Sequence, residues 1–166
     1  RQSRVHQLRL MCIRAGVGAP EQVVANLISA KDPNQVAGIV HPGRPTPLHC
    51  ERHSLSALPA PDRWVFPVER YSYAMRSTAV PYTQVFTSRG CIKACPYCPV
   101  PTLRPARFDP KKPEQVVTEW ATLVREHHVR SIHVEDDSFL ADKHRVYKIC
   151  DRLIQEKVSV QWELVN

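Results

Sequence analysis

No apolar run in this sequence approaches the roughly 20 residues that a bilayer span requires, and the opening Arg1-Gln2-Ser3-Arg4 leads into no secretory core. The chain is therefore expected in the cytoplasm. No block of five like charges occurs either, so the net charge of +7 is scattered. It reads as a solvated basic surface and gives nucleic-acid binding no support beyond the charge itself. Glycine is scarce, with 5 residues against 15 prolines. The prolines cluster between Pro42 and Pro81, where helical periodicity fails and an irregular connection is expected. An even disulfide framework is also missing: of six cysteines, three are isolated and three are bunched at Cys91, Cys95 and Cys98. Bunched thiols belong to a reducing compartment and usually hold metal. An initial methionine is absent too, so the 166 residues read as a piece of something longer, one domain or parts of two.

The elements that are present fall into two groups. Residues 5–13, VHQLRLMCI, read as a short strand, and residues 19–30, APEQVVANLISA, as a helix. Pro20 suits the first turn of that helix, Glu21 complements its dipole, and Val23, Val24, Leu27 and Ile28 form one apolar face. A strand at 36–40, VAGIV, follows, stopped by Pro42-Gly43. Residues 1–43 are thus a small β-α-β remnant. Residues 44–80 read as a proline-rich linker draped over a neighbouring surface, with Trp64, Phe66, Tyr71 and Tyr73 tacking it down.

Residues 81–166 are regular. YTQVFTS at 82–88 reads as a strand, PEQVVTEWATLVREHH at 113–128 as a helix, and RSIHVEDD at 130–137 as a second strand. The first helix carries Val116, Val117, Trp120, Leu123, Val124 and His127 at helical spacing. A second helix over 141–157 aligns Val146, Ile149, Cys150, Leu153 and Ile154, and VSVQWELV at 158–165 supplies a third strand. Strand, helix, strand, helix, strand predicts a parallel α/β sheet with crossover helices. Ligand sites in such folds form at the carboxyl ends of the strands. The cysteine loop follows the first strand, and EDDSF follows the second.

Cys91, Cys95 and Cys98 make a C-x3-C-x2-C spacing, short enough for one loop to wrap three thiolates around a metal centre. Structural zinc normally takes four protein ligands, and no second cysteine pair is present. An iron–sulfur cubane suits three soft thiolates and leaves one iron open for an outside ligand. His53, Cys50 or Cys12 could instead complete a zinc or four-ligand cluster site, which makes a non-enzymatic metal module the rival reading. Cys150, on a helix's apolar face, reads as a small hydrophobe.

The segment TSRGCIKACPYCPVP at 87–101, with an aromatic residue before the last cysteine and βα units following, resembles the cluster loop of the radical S-adenosylmethionine (radical SAM) enzymes. The resemblance implies a partial (β/α) barrel of that type and a 4Fe-4S cluster on Cys91, Cys95 and Cys98. It also implies that S-adenosylmethionine chelates the open iron and is cleaved to a 5′-deoxyadenosyl radical that abstracts hydrogen. Tyr97 would lie against the adenine, and Asp136 and Asp137 would help to hold the methionyl amino group. A small electron donor of the flavodoxin or ferredoxin type is the implied partner; the substrate is not given. The acidic EDDSF and the upstream GVGAPEQVVANLISA resemble the branch that pairs this domain with a cobalamin-binding Rossmann-like domain, whose tail 1–43 would be. Methylation and rearrangement are among the reactions of that branch. Its Asp-x-His-x-x-Gly motif is absent, so cobalamin is expected of the full-length relatives and not of this chain. The bland alternative for Asp137 and Ser138 is capping of the next helix. An unfinished barrel would also permit an inactive fragment with its third strand exposed as an edge.

Overall fold

The computed structural model describes residues 20–32, 35–37, 39, 54–70, 79–100 and 108–164. The chain divides into two compact units, Arg1–His53 and Ser54–Asn166.

In the first unit, helix α1 (Pro20–Ser29) begins at the proline expected to open it. Val23 and Leu27, one turn apart, are buried with Val36 and Ile39, and Ala30 packs against them. Only half of the expected apolar face is used, since Val24 and Ile28 are 38% and 67% exposed. Of the strand expected over 36–40, Val36 and Ala37 lie outside any strand and Ile39 is a bridge residue, while residues 38 and 40 lie outside the described residues. Burial of Val36 and Ile39 accounts for the apolar character of those two positions. The strand expected at 5–13 and the stop at Pro42-Gly43 lie outside the described residues.

The second unit is mixed α/β, as expected. Strands β1 (Tyr82–Val85), β4 (Ser131–Val134) and β5 (Gln161–Leu164) form a parallel sheet in the order β1-β4-β5. Helices α2 (Pro113–Arg125) and α3 (Lys143–Gln155) make the crossovers that parallel neighbours require. Two short strands, β2 (Ser88–Arg89) and β3 (Asp109–Pro110), pair antiparallel beside the sheet. Three parallel strands establish the α/β class and the strand–helix alternation, and do not by themselves show a barrel.

Strand alternation sends Val85, Ile132, Val134, Trp162 and Leu164 to one face, against Val116, Val117, Trp120 and Leu123 of α2 and Ile149 and Leu153 of α3. Burial of large side chains here is the main stabilising term, at about 1.5–3 kcal/mol for each one fully removed from water. The opposite positions hold Tyr82, Gln84, Ser131, His133, Gln161 and Glu163, with Gln84, His133 and Glu163 in register across the three strands. His133 is buried there, its Nε2 3.0 Å from Glu163.

The helix ends reflect the shortage of glycine. His128 and Lys157 both have φ of 53°, a left-handed conformation that glycine usually supplies after a helix. At the end of α3, Val158 N–H donates to Leu153 O at 2.9 Å and Lys157 N–H to Ile154 O at 3.1 Å, the paired bonds of a Schellman turn. The helix expected to reach 128 therefore stops at Arg125, and the one expected over 141–157 is trimmed at both ends.

Residues 54–70, inside the expected linker, form three single turns, Leu55–Ala57, Arg63–Val65 and Val68–Arg70, within the second unit. Leu55 and Val68 are buried. Polar bonds do most of the remaining fastening: Ser54 Oγ and Leu55 N–H both donate to Asp109 at 2.7 Å, and Arg63 donates to Thr83 Oγ1 and Gln84 O. Of the expected aromatic tacks, Trp64 holds through the His127 ring and Phe66 is a correction. Trp64 and Phe66 are 70% and 57% exposed, because the backbone turns direct Leu55, Arg63 and Val68 inward instead. Trp64 meets only the His127 ring among the described aromatic contacts, at 4.3 Å between centroids; Tyr71 and Tyr73 lie outside the described residues.

Candidate functional site

The parallel register brings Val85 beside Val134, so the chain leaves β1 and β4 at the same edge of the sheet. Glu135 N–H extends the ladder by donating to Val85 O at 2.9 Å. Asp136, the next residue, is 2% exposed. Its carboxylate accepts Thr87 N–H, Thr87 Oγ1–H and Ser88 Oγ–H, each at 2.6 Å. Three donors converging on one buried carboxylate are the arrangement that makes such burial tolerable. Asp137 reaches one step further along the loop, its Oδ2 accepting Gly90 N–H at 2.7 Å. Gly90 has φ of 81°, so this turn before Cys91 is one place where a glycine is required.

Behind these residues stands Arg145 of α3, 5% exposed. Its Nη2 donates to Thr87 O at 2.7 Å and its Nε to Lys111 O at 2.9 Å. Burial pushes the guanidinium below its ordinary pKa, while the negative charges of Asp136 and Asp142 pull it back up. Lys111 N–H also donates to Thr87 O at 2.8 Å, and Lys111 Nζ pairs with Glu119 at 2.6 Å in a buried ion pair.

Cys91, Cys95 and Cys98 are free thiols, each half-buried. Lys93 N–H points at Cys91 Sγ from 3.4 Å, and Cys98 N–H closes a turn on Cys95 O at 3.1 Å. The loop thus carries all three thiols but does not draw them together: among the described residues no three His, Cys, Asp or Glu side chains are grouped closely enough to hold a metal ion. The donor set nevertheless fits a soft metal centre in chemistry, being three unoxidised, partly accessible thiols on one loop, with a backbone N–H already directed at one sulfur. Tyr97 stands out from the loop at 87% exposed. Cys150, on α3, is half-buried. Cys12, Cys50 and His53, the alternative fourth ligands, lie outside the described residues.

The capping alternative for Asp137 and Ser138 is not what the chain does. Asp142 caps α3, accepting Arg145 N–H at 3.0 Å, and Ser138 precedes the single turn Phe139–Ala141 without a side-chain cap bond. Arg145 is the residue that sequence reading overlooks. Its signal was available: it lies four residues before Ile149 and eight before Leu153, on the stripe those residues bury, where a charge has to find partners.

An α/β unit with a three-thiol loop rooted at adjacent strand ends is the class of site defined here. No protein-family model matches the chain. Over 109 residues it is 29% identical to an uncharacterized methyltransferase of Pyrococcus horikoshii, a match covering 66% of this chain and 23% of that relative. The chain thus spans less than a quarter of the length of the curated relative it matches. Among the described residues no helix is long and apolar enough to cross a membrane.

Proposed function

We propose that this chain is part of a methylation-type enzyme of the radical SAM kind, with residues 81–166 forming the first part of its core domain, 44–80 the linker, and 1–43 the tail of a Rossmann-like domain. The observation that carries the reading is the rooting of the three-thiol loop, through Asp136 and Asp137, at the carboxyl ends of two parallel strands. Similarity to a protein named as a methyltransferase supports the methylation outcome. Cys91, Cys95 and Cys98 would hold a 4Fe-4S cluster, which when bound supplies an electron for reductive cleavage of the S-adenosylmethionine sulfonium.

The chain's own residues bind and orient. Gly90 turns the backbone so that Cys91 leaves the sheet edge, and Pro96 and Pro99 limit the conformations the loop must give up on closing. The two aspartates divide the acidic floor: Asp136, with both oxygens engaged by Thr87 and Ser88, holds the frame. Asp137, half-buried, is assigned to the cofactor's amino group. Tyr97 is the adenine contact. A flavodoxin- or ferredoxin-like protein is the electron donor, and cobalamin has no ligand motif here.

The test is anaerobic reconstitution with iron and sulfide, followed by metal analysis and electron paramagnetic resonance. About four irons per chain, with a signal that changes on adding S-adenosylmethionine, is the expected result. Tight zinc in place of iron, or a signal indifferent to S-adenosylmethionine, overturns it. Cys91→Ala should abolish the signal and Cys150→Ala should leave it intact.

A further inference from the structure

The segment bearing the three cysteines leaves the body of the protein at Thr87 and returns at Lys111. Its two roots are joined by β2 and β3, a ribbon of only two residues on each side. So short a ribbon is marginal by itself. Arg145 donates to a carbonyl at each root, Thr87 O and Lys111 O, and it does so from a buried position on the neighbouring helix. Its Nη1 is buried with no hydrogen-bond partner in the structure, so burial of this group is accepted for the sake of the bonds the other nitrogens make. Asp136 faces it electrostatically and grips the outgoing root through Thr87 and Ser88. Glu119 grips the returning root through Lys111 Nζ.

We propose that Arg145 is a positioning residue that staples the two roots of the cysteine loop and thereby sets the spacing from which Cys91, Cys95 and Cys98 close on their metal. In ligand terms the inference rests on the reading of the loop as a cluster site; in mechanical terms it does not. A forked guanidinium can bridge two carbonyls in fixed directions, whereas a lysine ammonium on a shorter polar head cannot reproduce that fork. Retaining the charge should therefore not restore the staple.

The full chain is compared with Arg145→Met and Arg145→Lys, the latter keeping a cation beside Asp136 should the former fail to fold. Without metal, thiol alkylation by iodoacetamide is followed residue by residue by mass spectrometry, together with hydrogen exchange at Thr87, Gly90 and Lys111. Both variants should show about tenfold faster alkylation at Cys91 and faster exchange at the two roots, with Cys150 unchanged. Equal acceleration at Cys150 would mean general loosening of α3, and unchanged rates at Cys91 and Gly90 would mean no staple; either result overturns the proposal. After reconstitution, the variants should hold less iron and show broadened or shifted paramagnetic signals. A parent chain that takes up no iron would refute the cluster reading alone, since the metal-free measurements still decide the staple.

Discussion

Replacing Asp136 by alanine removes the acceptor of three hydrogen bonds at once and strips the larger of two compensating charges, the other being Asp142, from a buried guanidinium. Each charge-assisted bond contributes about 1.5–3 kcal/mol net, but the three share one carboxylate and do not add independently. A buried charge left unmatched costs about 3–5 kcal/mol, which is the expected destabilisation for Asp136→Ala. Asp136→Asn likewise removes the charge facing Arg145, but it retains the shape and one acceptor for Thr87 N–H, and its amide can donate to the hydroxyls of Thr87 and Ser88; its cost should therefore fall below that of Asp136→Ala. Urea unfolding followed by tryptophan fluorescence is the assay, because Trp120 is fully buried and Trp162 packs against it in the core of the same unit. The midpoint should move with little change in slope if the native and denatured states keep their compactness. An alanine variant within about 1 kcal/mol of the parent would refute the account, since three lost bonds and the loss of the larger charge acting on a buried arginine together exceed that.

Lys157→Gly should raise stability by about 1 kcal/mol, because glycine enters the left-handed turn after α3 without the steric cost borne by lysine; a lower unfolding midpoint would contradict the conformation at that site. The Glu114 carboxyl is held below the usual 4.5 by its own backbone N–H at the start of α2, and by Arg152 2.8 Å away, despite an opposing desolvation effect. Its folded pKa being depressed, the stabilisation is complete above pH 4.5 and is lost as pH falls through the folded value, so the difference between Glu114→Gln and the parent should fade on acidification. A Glu114 titration by NMR that falls above 4.5 would rule this out. Tyr97→Ala should leave stability within about 0.5 kcal/mol, as expected of an exposed side chain, while weakening S-adenosylmethionine binding to the reconstituted protein. Calorimetry that finds equal affinity would remove Tyr97 from the site.

The βαβαβ order was legible because its helices place apolar residues at helical spacing and its strands are rich in β-branched and aromatic residues. Those patterns follow from burial on one side of each element, which is what the sheet and α2 and α3 show. Boundaries were less legible. The alternation of 158–160 looks like a strand, but pairing with β4 begins only at Gln161. The ends of α2 and α3 are turned by His128 and Lys157, residue types that carry no stop signal. The fastening of 54–70 was only partly legible for a different reason: aromatic residues suggest packing, yet here Arg63 and Asp109 supply directed bonds while Phe66 remains outside and Trp64 rests on the His127 ring. At the site, the thiol spacing and the acidic pair could be read directly from the chain. The division between Asp136 and Asp137 could not, because it depends on donors from Thr87, Ser88 and Gly90 on another strand's exit.

The stapled roots have an engineering consequence. With Thr87 and Lys111 held to Arg145 and to each other, the sequence beyond Gly90 and before Asp109 is a cassette of variable length: doubling it adds only about 0.6 kcal/mol of closure entropy. Shifting either root by a single residue would instead misalign the carbonyl that Arg145 grips. Insertions should therefore be accepted within the cassette and rejected at its ends, so that the thiol spacing can be redesigned without redesigning the sheet.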